Sequence, residues 1–326
     1  MSQWRLDWPP ASGQRLGTCV LRQEADDFQV DELIDIEFTG EGEHLCLRLQ
    51  KTGDNTEFVA KELARMAGLR PFDVSFCGLK DRHAVTRQWF SLYRPGKPDD
   101  TAFINTVNER WPVLDHSRHR RKLRRGEHLG NHFRLRLREV TAGQAEVDQR
   151  LSRIALEGVP NYFGPQRFGR DGGNLAKAVA DGGRPRRGRN FKAGLAFSAA
   201  RSWLFNEILA ERVEQGNWHR TLEGEPSSEP TGPLWGDGGT SAAGVAADLE
   251  WAVVDRFPEV KAVFSSTRMK PERRSLALPL SGLTWTWESS DTLFLDFVLG
   301  AGGFATALVA EILDAVSGGP VTNPAS

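Results

Sequence analysis

One acidic residue stands out by its neighbours. In FCGLKDRHAVTRQ, from Phe76 to Gln88, Asp81 lies between Lys80 and Arg82, three residues after Gly78. Nearby cations favour the ionised carboxylate, the state a nucleophile or general base needs at neutral pH. Gly78 lets the chain turn sharply after the short strand VSFC, so Asp81 is expected on a loop at a strand end. An aspartate in that place equally well orders its own turn. The residue types alone leave both readings open.

The second concentration of chemistry is cationic. HSRHRRKLRRG, from His116 to Gly126, carries Arg118, Arg120, Arg121, Lys122, Arg124 and Arg125 and no acid. Arginine forks suit phosphate oxygens, and phosphate contacts dominate nucleic-acid affinity; a solvated charge run or a tail has the same composition. A second cluster, Arg184, Arg186, Arg187 and Arg189, favours a polyanion. Phe133 and Phe163 could stack on unpaired RNA bases, or be core like most aromatics.

Absent motifs narrow the chemistry. The sequence has no phosphate-binding G-x-x-x-x-G-K-[ST], no H-E-x-x-H and no G-x-S-x-G. His128 and His132 have the spacing of helical metal ligands, but Gly130 lies between them and a strand pattern follows at once. The reaction is therefore expected to need neither metal nor nucleotide cofactor.

The elements that must position these residues follow from periodicity. HLCLRLQ, from His44, puts Leu45, Leu47 and Leu49 on one strand face. FRLRLRE, from Phe133, puts Phe133, Leu135 and Leu137 inward and three arginines on its other face, so a one-residue slip would bury charge. NTEFVAKELARMAG predicts a helix with Val59, Leu63 and Met66 on one stripe, capped by Asn55 or Thr56 and stopped at Gly68. Further helices are expected around Val147, Leu151 and Ile154; around Leu204, Ile208 and either Phe205 or Leu209; and after Gly303, carrying Phe304, Leu308, Ile312 and Leu313. LFLDFVL reads as a late strand. Mixed order of this kind predicts an α+β fold. The polar stretch from Gly216 to Ala247 predicts long loops in an inserted domain.

The chain has 326 residues and a net charge of −1, with 39% hydrophobic and 26% charged residues. That composition fits a soluble chain of one or two domains with no overall pull toward nucleic acid, so anion binding must be local. Three cysteines and no C-x-x-C fit a reducing cytoplasm. No run approaches the roughly 20 apolar residues of a membrane span.

Several segments, in order, resemble the TruD family of tRNA pseudouridine synthases: EADDFQVDE, KTGDNTEFVAKELA, GLKDRHAVTRQWF, KLRRGEHLGNHFRLRLRE, GVPNYFGPQRFGR, SAARSWLFNEILAERV and GGFATALVAEIL. The resemblance runs from about Glu24 to Leu313. It implies an α+β catalytic domain with a mixed, mainly antiparallel sheet, residues 1–157 and 277–326, interrupted by an inserted α/β TRUD domain, residues 158–276. It implies conversion of uridine 13 of tRNA to pseudouridine with no cofactor, in the cytoplasm, with no membrane and no obligate protein partner. The family's essential aspartate falls on Asp81. By the same matching, Phe28, Asn131, Phe133 and Phe304 contact the target nucleotide, Lys80, Arg82, Gln88 and Arg22 support the site, and the basic run meets the RNA backbone. Arg22 stands where the family pattern leads one to expect lysine. Asn161, Tyr162, Phe163 and Gln166 suit a hinge as much as an RNA contact.

Overall fold

Alternation builds the strands and caps bound the helices. The computed structural model describes residues 4–96, 99–182, 191–265 and 267–318; the cluster Arg184, Arg186, Arg187 and Arg189 lies outside the described residues. The first half of the chain forms β1 (Thr18–Leu21), β2 (Phe28–Leu33), β3 (His44–Thr52), α1 (Thr56–Ala67), β4 (Val74–Phe76), β5 (Val85–Tyr93), α2 (Thr101–Asn108), β6 (Val113–His119) and β7 (Gly130–Arg138). The middle forms α3 (Gln144–Glu157), β8 (Val159–Pro160), α4 (Gly173–Ala180), α5 (Phe191–Glu214), β9 (Thr231–Leu234), α6 (Gly244–Val254), α7 (Pro258–Ala262), β10 (Glu272–Ser275) and β11 (Ala277–Leu278). The end forms β12 (Ser281–Trp287), β13 (Leu293–Gly300), α8 (Ala305–Ala310) and β14 (Asp314–Ser317).

These elements divide into two compact units, each discontinuous in sequence. One comprises Gly17–Gln144, Leu280–Gly302 and the chain from Asp314 onward; the other comprises the chain up to Leu16, Ala145–Pro279 and Gly303–Leu313.

The first unit is built on a ten-stranded sheet in the order β12-β13-β7-β2-β5-β3-β6, with β1 beside β7 and β14, and β4 beside β5. It is mixed but mainly antiparallel: only the β1–β14 and β2–β5 pairings are parallel. The class is α+β, as expected. Leu45, Leu47 and Leu49 are at most 1% exposed and pack with Val59 and Leu63 of α1 and Phe90 and Leu92 of β5. The amide of Phe58 donates to the Asn55 side chain at 2.8 Å, and Gly68 ends α1 at φ 65°.

On β7, Phe133, Leu135 and Leu137 are buried and the arginines occupy the opposite face. That face is not a free cationic stripe. Arg134 meets Asp31 at 2.6 Å, Arg136 meets Glu288 at 2.5 Å, and Arg138 clasps the fully buried Asp27 with three bonds of 2.8–3.1 Å. Burial pushes the Asp27 carboxyl up, but bonds from Arg138 and the Glu24 amide and the charge of Arg136 outweigh it, holding the group below the usual carboxylate range.

In the second unit, α5 buries both Phe205 and Leu209 along with Leu204 and Ile208. The polar stretch after it is more ordered than its composition predicts. Arg212, 2% exposed, pairs with the buried Glu225 at 2.9 Å, and Glu225 also accepts from the amides of Leu222 and Thr231. A buried ion pair needs such further bonds to offset desolvation, so the loop is fixed by polar groups that a search for apolar periodicity passes over. The last helix is shorter than expected: Phe304 caps it, and Ile312 and Leu313 lie beyond it. Glu311, 3% exposed, ends it by accepting from the amides of Ala11 and Ser12.

Gly130, paired with Gly300, is where β7 tolerates no side chain. A Cβ there would lie 2.2 Å from the carbonyl oxygen of Leu299. Gly130→Ala is therefore expected to lower stability by about 1–3 kcal/mol, read as a drop in the denaturant midpoint; an unchanged midpoint would show that β13 yields freely.

Candidate active site

Asp81 lies as expected on the loop between β4 and β5, although Gly78 does not take a left-handed backbone there. The cations that hold it are not its chain neighbours. Arg22, just after β1, donates to Asp81 Oδ2 at 2.5 Å, while Oδ1 accepts from the amide of His83 at 3.1 Å. The turn-ordering role and the charged-pair role thus coexist. The Asp81 side chain remains 30% exposed, so the ion pair leaves it reachable.

Lys80 turns the other way. Its side chain is 3% exposed and its ammonium pairs with the buried Glu32 at 2.7 Å, and Glu32 uses its other oxygen to accept from the Trp89 amide at 3.1 Å. Gly78 lies close to this pair: a Cβ there would lie 3.1 Å from Lys80 Nζ and 3.2 Å from the His128 ring, so either neighbour would have to shift slightly. Burial, with Lys80 adding to it, lowers the His128 pKa. Arg82 donates through Nε to the Gly53 carbonyl at 2.9 Å.

The loop is strapped to the segment between β3 and α1 at several points. Lys51 Nζ donates to the carbonyls of Asp54 at 2.8 Å and of Asp81 at 3.2 Å. The amide of Lys80 donates to Thr56 Oγ1 at 2.9 Å; Thr56 donates on to Gln88 Oε1 at 2.8 Å, and Gln88 Nε2 donates to the Gly78 carbonyl at 3.2 Å. Gln88 is fully buried. Lys51, Thr56 and Glu32 were not singled out from sequence as site residues. The signal lay in the spacing K-T-G-D-N-T: Lys51, Gly53 and Thr56 touch the Asp81 loop, and Asn55 caps the helix behind it.

Beside the carboxylate lies an aromatic stack. The Arg22 guanidinium sits 4.1 Å above the Phe28 ring; Phe28 meets Phe133 edge-on at 6.2 Å, and Phe133 stacks on Phe297 at 5.5 Å. Phe28 and Phe133 are 3% and 6% exposed. Arg22 takes a left-handed backbone at φ 64°, a conformation that costs a non-glycine residue about 1–3 kcal/mol and clusters at functional sites. Asn131 on β7 lies opposite Glu32, is 9% exposed, and its buried Oδ1 has no hydrogen-bond partner among the described residues. Phe304 belongs to the other unit, where it is 41% exposed.

The basic run is an ordered segment rather than a tail, pinned by Leu123, which is 1% exposed and whose amide donates to Ser91 Oγ. Arg118 is used internally, with Asp100 at 2.5 Å and the carbonyls of Gly42 and Arg94. Arg120 and Arg121 are exposed and paired with Glu41 and Glu127. Lys122, Arg124 and Arg125 are exposed, and Arg125 covers the Phe76 ring at 3.6 Å. Of the two spaced histidines, His132 pairs with Asp296 at 2.6 Å from β7 itself. Among the described residues no group of three or more His, Cys, Asp or Glu converges as metal ligands do.

A family model described as tRNA pseudouridine synthase D (TruD) matches residues 12–177. The tRNA pseudouridine synthase D of Marinobacter nauticus is 52% identical, covering 96% of this chain and 96% of its own. That of Pseudomonas fluorescens is 44% identical over 99% of both. Among solved structures, the putative tRNA pseudouridine synthase D (TruD) of Methanosarcina mazei superposes with a TM-score of 0.67 at 20% identity, covering 98% of this chain and 96% of that one. That likeness is one of fold.

Burial lowers the Lys51 pKa to about 8, against the opposing pull of Asp81 and Asp54. Its charge is therefore disfavoured in the folded state, so folding gains stability as pH rises from about 8 toward 10.5, while the strap to Asp81 weakens over the same range as the ammonium loses its proton. Lys51→Met is expected to leave the melting temperature near neutral pH little changed, because a buried charge is removed along with its bonds. It should speed amide exchange across residues 79–84 about tenfold, the equivalent of roughly 1.4 kcal/mol for a lost charge-assisted bond. Unaltered exchange in that loop would show that Lys51 does not hold it.

Proposed function

Because the chain belongs to the tRNA pseudouridine synthase D (TruD) family, with a family match over half its length and relatives 44–52% identical along nearly all of it, we propose that it isomerises uridine 13 of tRNA to pseudouridine, with Asp81 as the catalytic carboxylate. The observation that supports this most directly is the Asp81 side chain: part-exposed, clamped to Arg22, and strapped by its backbone to β3 and α1. In the reaction the N1–C1′ bond breaks, the uracil turns, C5 bonds to C1′ and gives up its proton, and N1 gains one. Nothing is added or lost, so no redox partner or energy source is required. Attack at C1′, attack on the base and removal of the C2′ proton all call for the same ionised carboxylate beside the target nucleoside.

A uridine inside folded tRNA must leave its stack to be reached. Phe28, braced by Phe133, offers a ring face to the everted base, with Arg22 the group that moves off it. Asn131 carries a buried acceptor without a partner, and a buried polar group left unsatisfied is costly. The N3–H of uracil satisfies it; cytosine, lacking that hydrogen, does not. Phe304 is proposed, on the family matching alone, as a further contact to the nucleotide. Lys80, Arg82 and Gln88 act on Asp81 through the loop they hold. The proposed division is a catalytic domain of residues 1–157 and 277–326 and an inserted domain of 158–276. No described helix is long and apolar enough to cross a membrane, and three free buried cysteines agree with a cytoplasmic location.

Asp81→Asn removes the charge with little change in volume. It is expected to abolish pseudouridine formation on an unmodified tRNA transcript, mapped by carbodiimide labelling, while tRNA binding largely survives. Full activity in that variant would end the assignment. For the basic run, Arg120 holds an exposed ion pair with Glu41 and the exposed Arg121 pairs with the half-buried Glu127; surface pairs contribute little stability and phosphates can displace them. Arg120→Ala with Arg121→Ala should weaken tRNA binding and lower the slope of log affinity against log salt by about 0.7–0.9 per lost contact. A slope equal to that of the wild type would place this run away from the RNA.

A further inference from the structure

The basic run lies along β4 and the turn before it. Bonding from Arg70 holds the Asp73 carboxyl below the usual carboxylate range, and the nearby charge of Lys122 adds to this. The Leu123 amide donates at 3.0 Å to Ser91 Oγ, which is 2.9 Å from Ser75 Oγ on β4. Arg125 lies over the Phe76 ring, and the Gly126 amide donates to the Cys77 carbonyl at 2.8 Å. The segment from Lys122 to Gly126 therefore runs beside that from Asp73 to Cys77, in the same direction. Lys122, Arg124 and Arg125 are exposed along it, and at one end it reaches Gly78 and the Asp81 loop.

At the other end stands Phe72. It is 65% exposed, the most exposed aromatic side chain among the described residues. It sits in a short turn, Pro71–Asp73, closed by the Asp73 amide donating to the Arg70 carbonyl at 2.9 Å. The Arg70 guanidinium lies 4.0 Å from the centre of the Phe72 ring and is fixed there by Asp73, with Nε at 3.0 Å from Oδ2 and Nη2 at 3.3 Å from Oδ1. A lone exposed apolar side chain needs no explanation. This one is braced by a planar cation and continues a line of cations leading to the candidate catalytic carboxylate. We propose that the Phe72 ring, backed by Arg70, is a stacking site for an unpaired base of the RNA substrate, one other than the target uridine, whose neighbouring phosphates follow the basic run. Exposed aromatics beside a cationic track are how proteins hold unpaired bases. The charged neighbours Arg70, Asp73 and Lys122 disfavour a protein partner, since the centres of protein interfaces are depleted of charge. The choice of RNA rests on the function proposed above.

The test uses the full chain with Phe72→Ala, Phe72→Leu and Phe72→Trp made singly, with thermal unfolding followed to confirm folding. Affinity for an unmodified tRNA transcript is measured across a salt series. Phe72→Ala is expected to weaken binding about 5- to 150-fold, the range for one base lost from an aromatic ring. Phe72→Leu keeps an apolar side chain without a flat ring and should lose most of the same affinity, while Phe72→Trp keeps it. Because a stacked base releases no counterions, the slope of log affinity against log salt should match the wild type in all three. Folded Phe72→Ala and Phe72→Leu with wild-type affinity overturn the site. A loss in Phe72→Ala that Phe72→Leu restores shows plain apolar contact and overturns stacking. A slope lowered along with affinity shows lost phosphate contacts and overturns it as well. Should Phe72→Ala not fold, the leucine and tryptophan variants carry the comparison. Pseudouridine formation by the wild type on the same transcript is followed separately: its absence, with affinity still lost in Phe72→Ala, removes the catalytic reading and keeps the stacking site.

Discussion

The Asp81 carboxylate is held without being covered, and its pair with Arg22 sets how this is done. The guanidinium takes one oxygen at 2.5 Å, and the other accepts a single amide of its own turn. Further restraint therefore has to come from behind, through the main chain, and it does: Lys51 binds the Asp81 carbonyl, Thr56 the Lys80 amide, Gln88 the Gly78 carbonyl. Those three side chains arise from β3, α1 and β5, so the pairing of β3 with β5 and the docking of α1 on both become conditions for the geometry of one side chain. Each of the three bonds exchanges water for a protein partner and contributes only about 0.5–1.5 kcal/mol to stability. Their larger effect is to deny the loop alternative conformations.

Charge is distributed under a second constraint. The chain must present cations to a polyanion with a net charge of −1. It meets this by neutralising arginines wherever sheet geometry needs them and leaving others at the surface. The β7 arginines look like a phosphate stripe in sequence, but Asp27, Asp31 and Glu288 answer them, and Asp31 alone takes three, from Arg48, Arg87 and Arg134. In the basic run, Arg118 is tied to Asp100 while Lys122, Arg124 and Arg125 remain exposed. A count of arginines along a segment therefore overstates what RNA can meet.

What could be read beforehand follows from the range of each interaction. The leucines of β3, the Asn55 cap and the Gly68 stop depend on residues a few positions away, and the structure shows them as expected. The loop position of Asp81 was legible for the same reason. The partner of Asp81 was not: Arg22 is 59 residues distant and reaches it only because β1 ends where it does. Chain neighbours were taken for spatial ones, yet Lys80 and Arg82 point to Glu32 and Gly53. The same limit hid Glu225, which orders a stretch that reads as plain loop, and Glu311, which ends the last helix early. Long-range polar pairs leave no periodic trace; apolar faces do.

The position of Arg22 over Phe28 bears on how a base could enter. A guanidinium 4.1 Å above a ring makes a cation–π contact worth about 0.5–2 kcal/mol, and a base stacked on the same face contributes about 1–3 kcal/mol. The exchange is thus nearly balanced. Arg22 makes both contacts, to the Phe28 ring and to Asp81, from a left-handed backbone. A compact ammonium at this position could neutralise the carboxylate but would cover less of the ring. With arginine here, the guanidinium covers the ring face; on the function proposed above, a base would replace it there at little net cost.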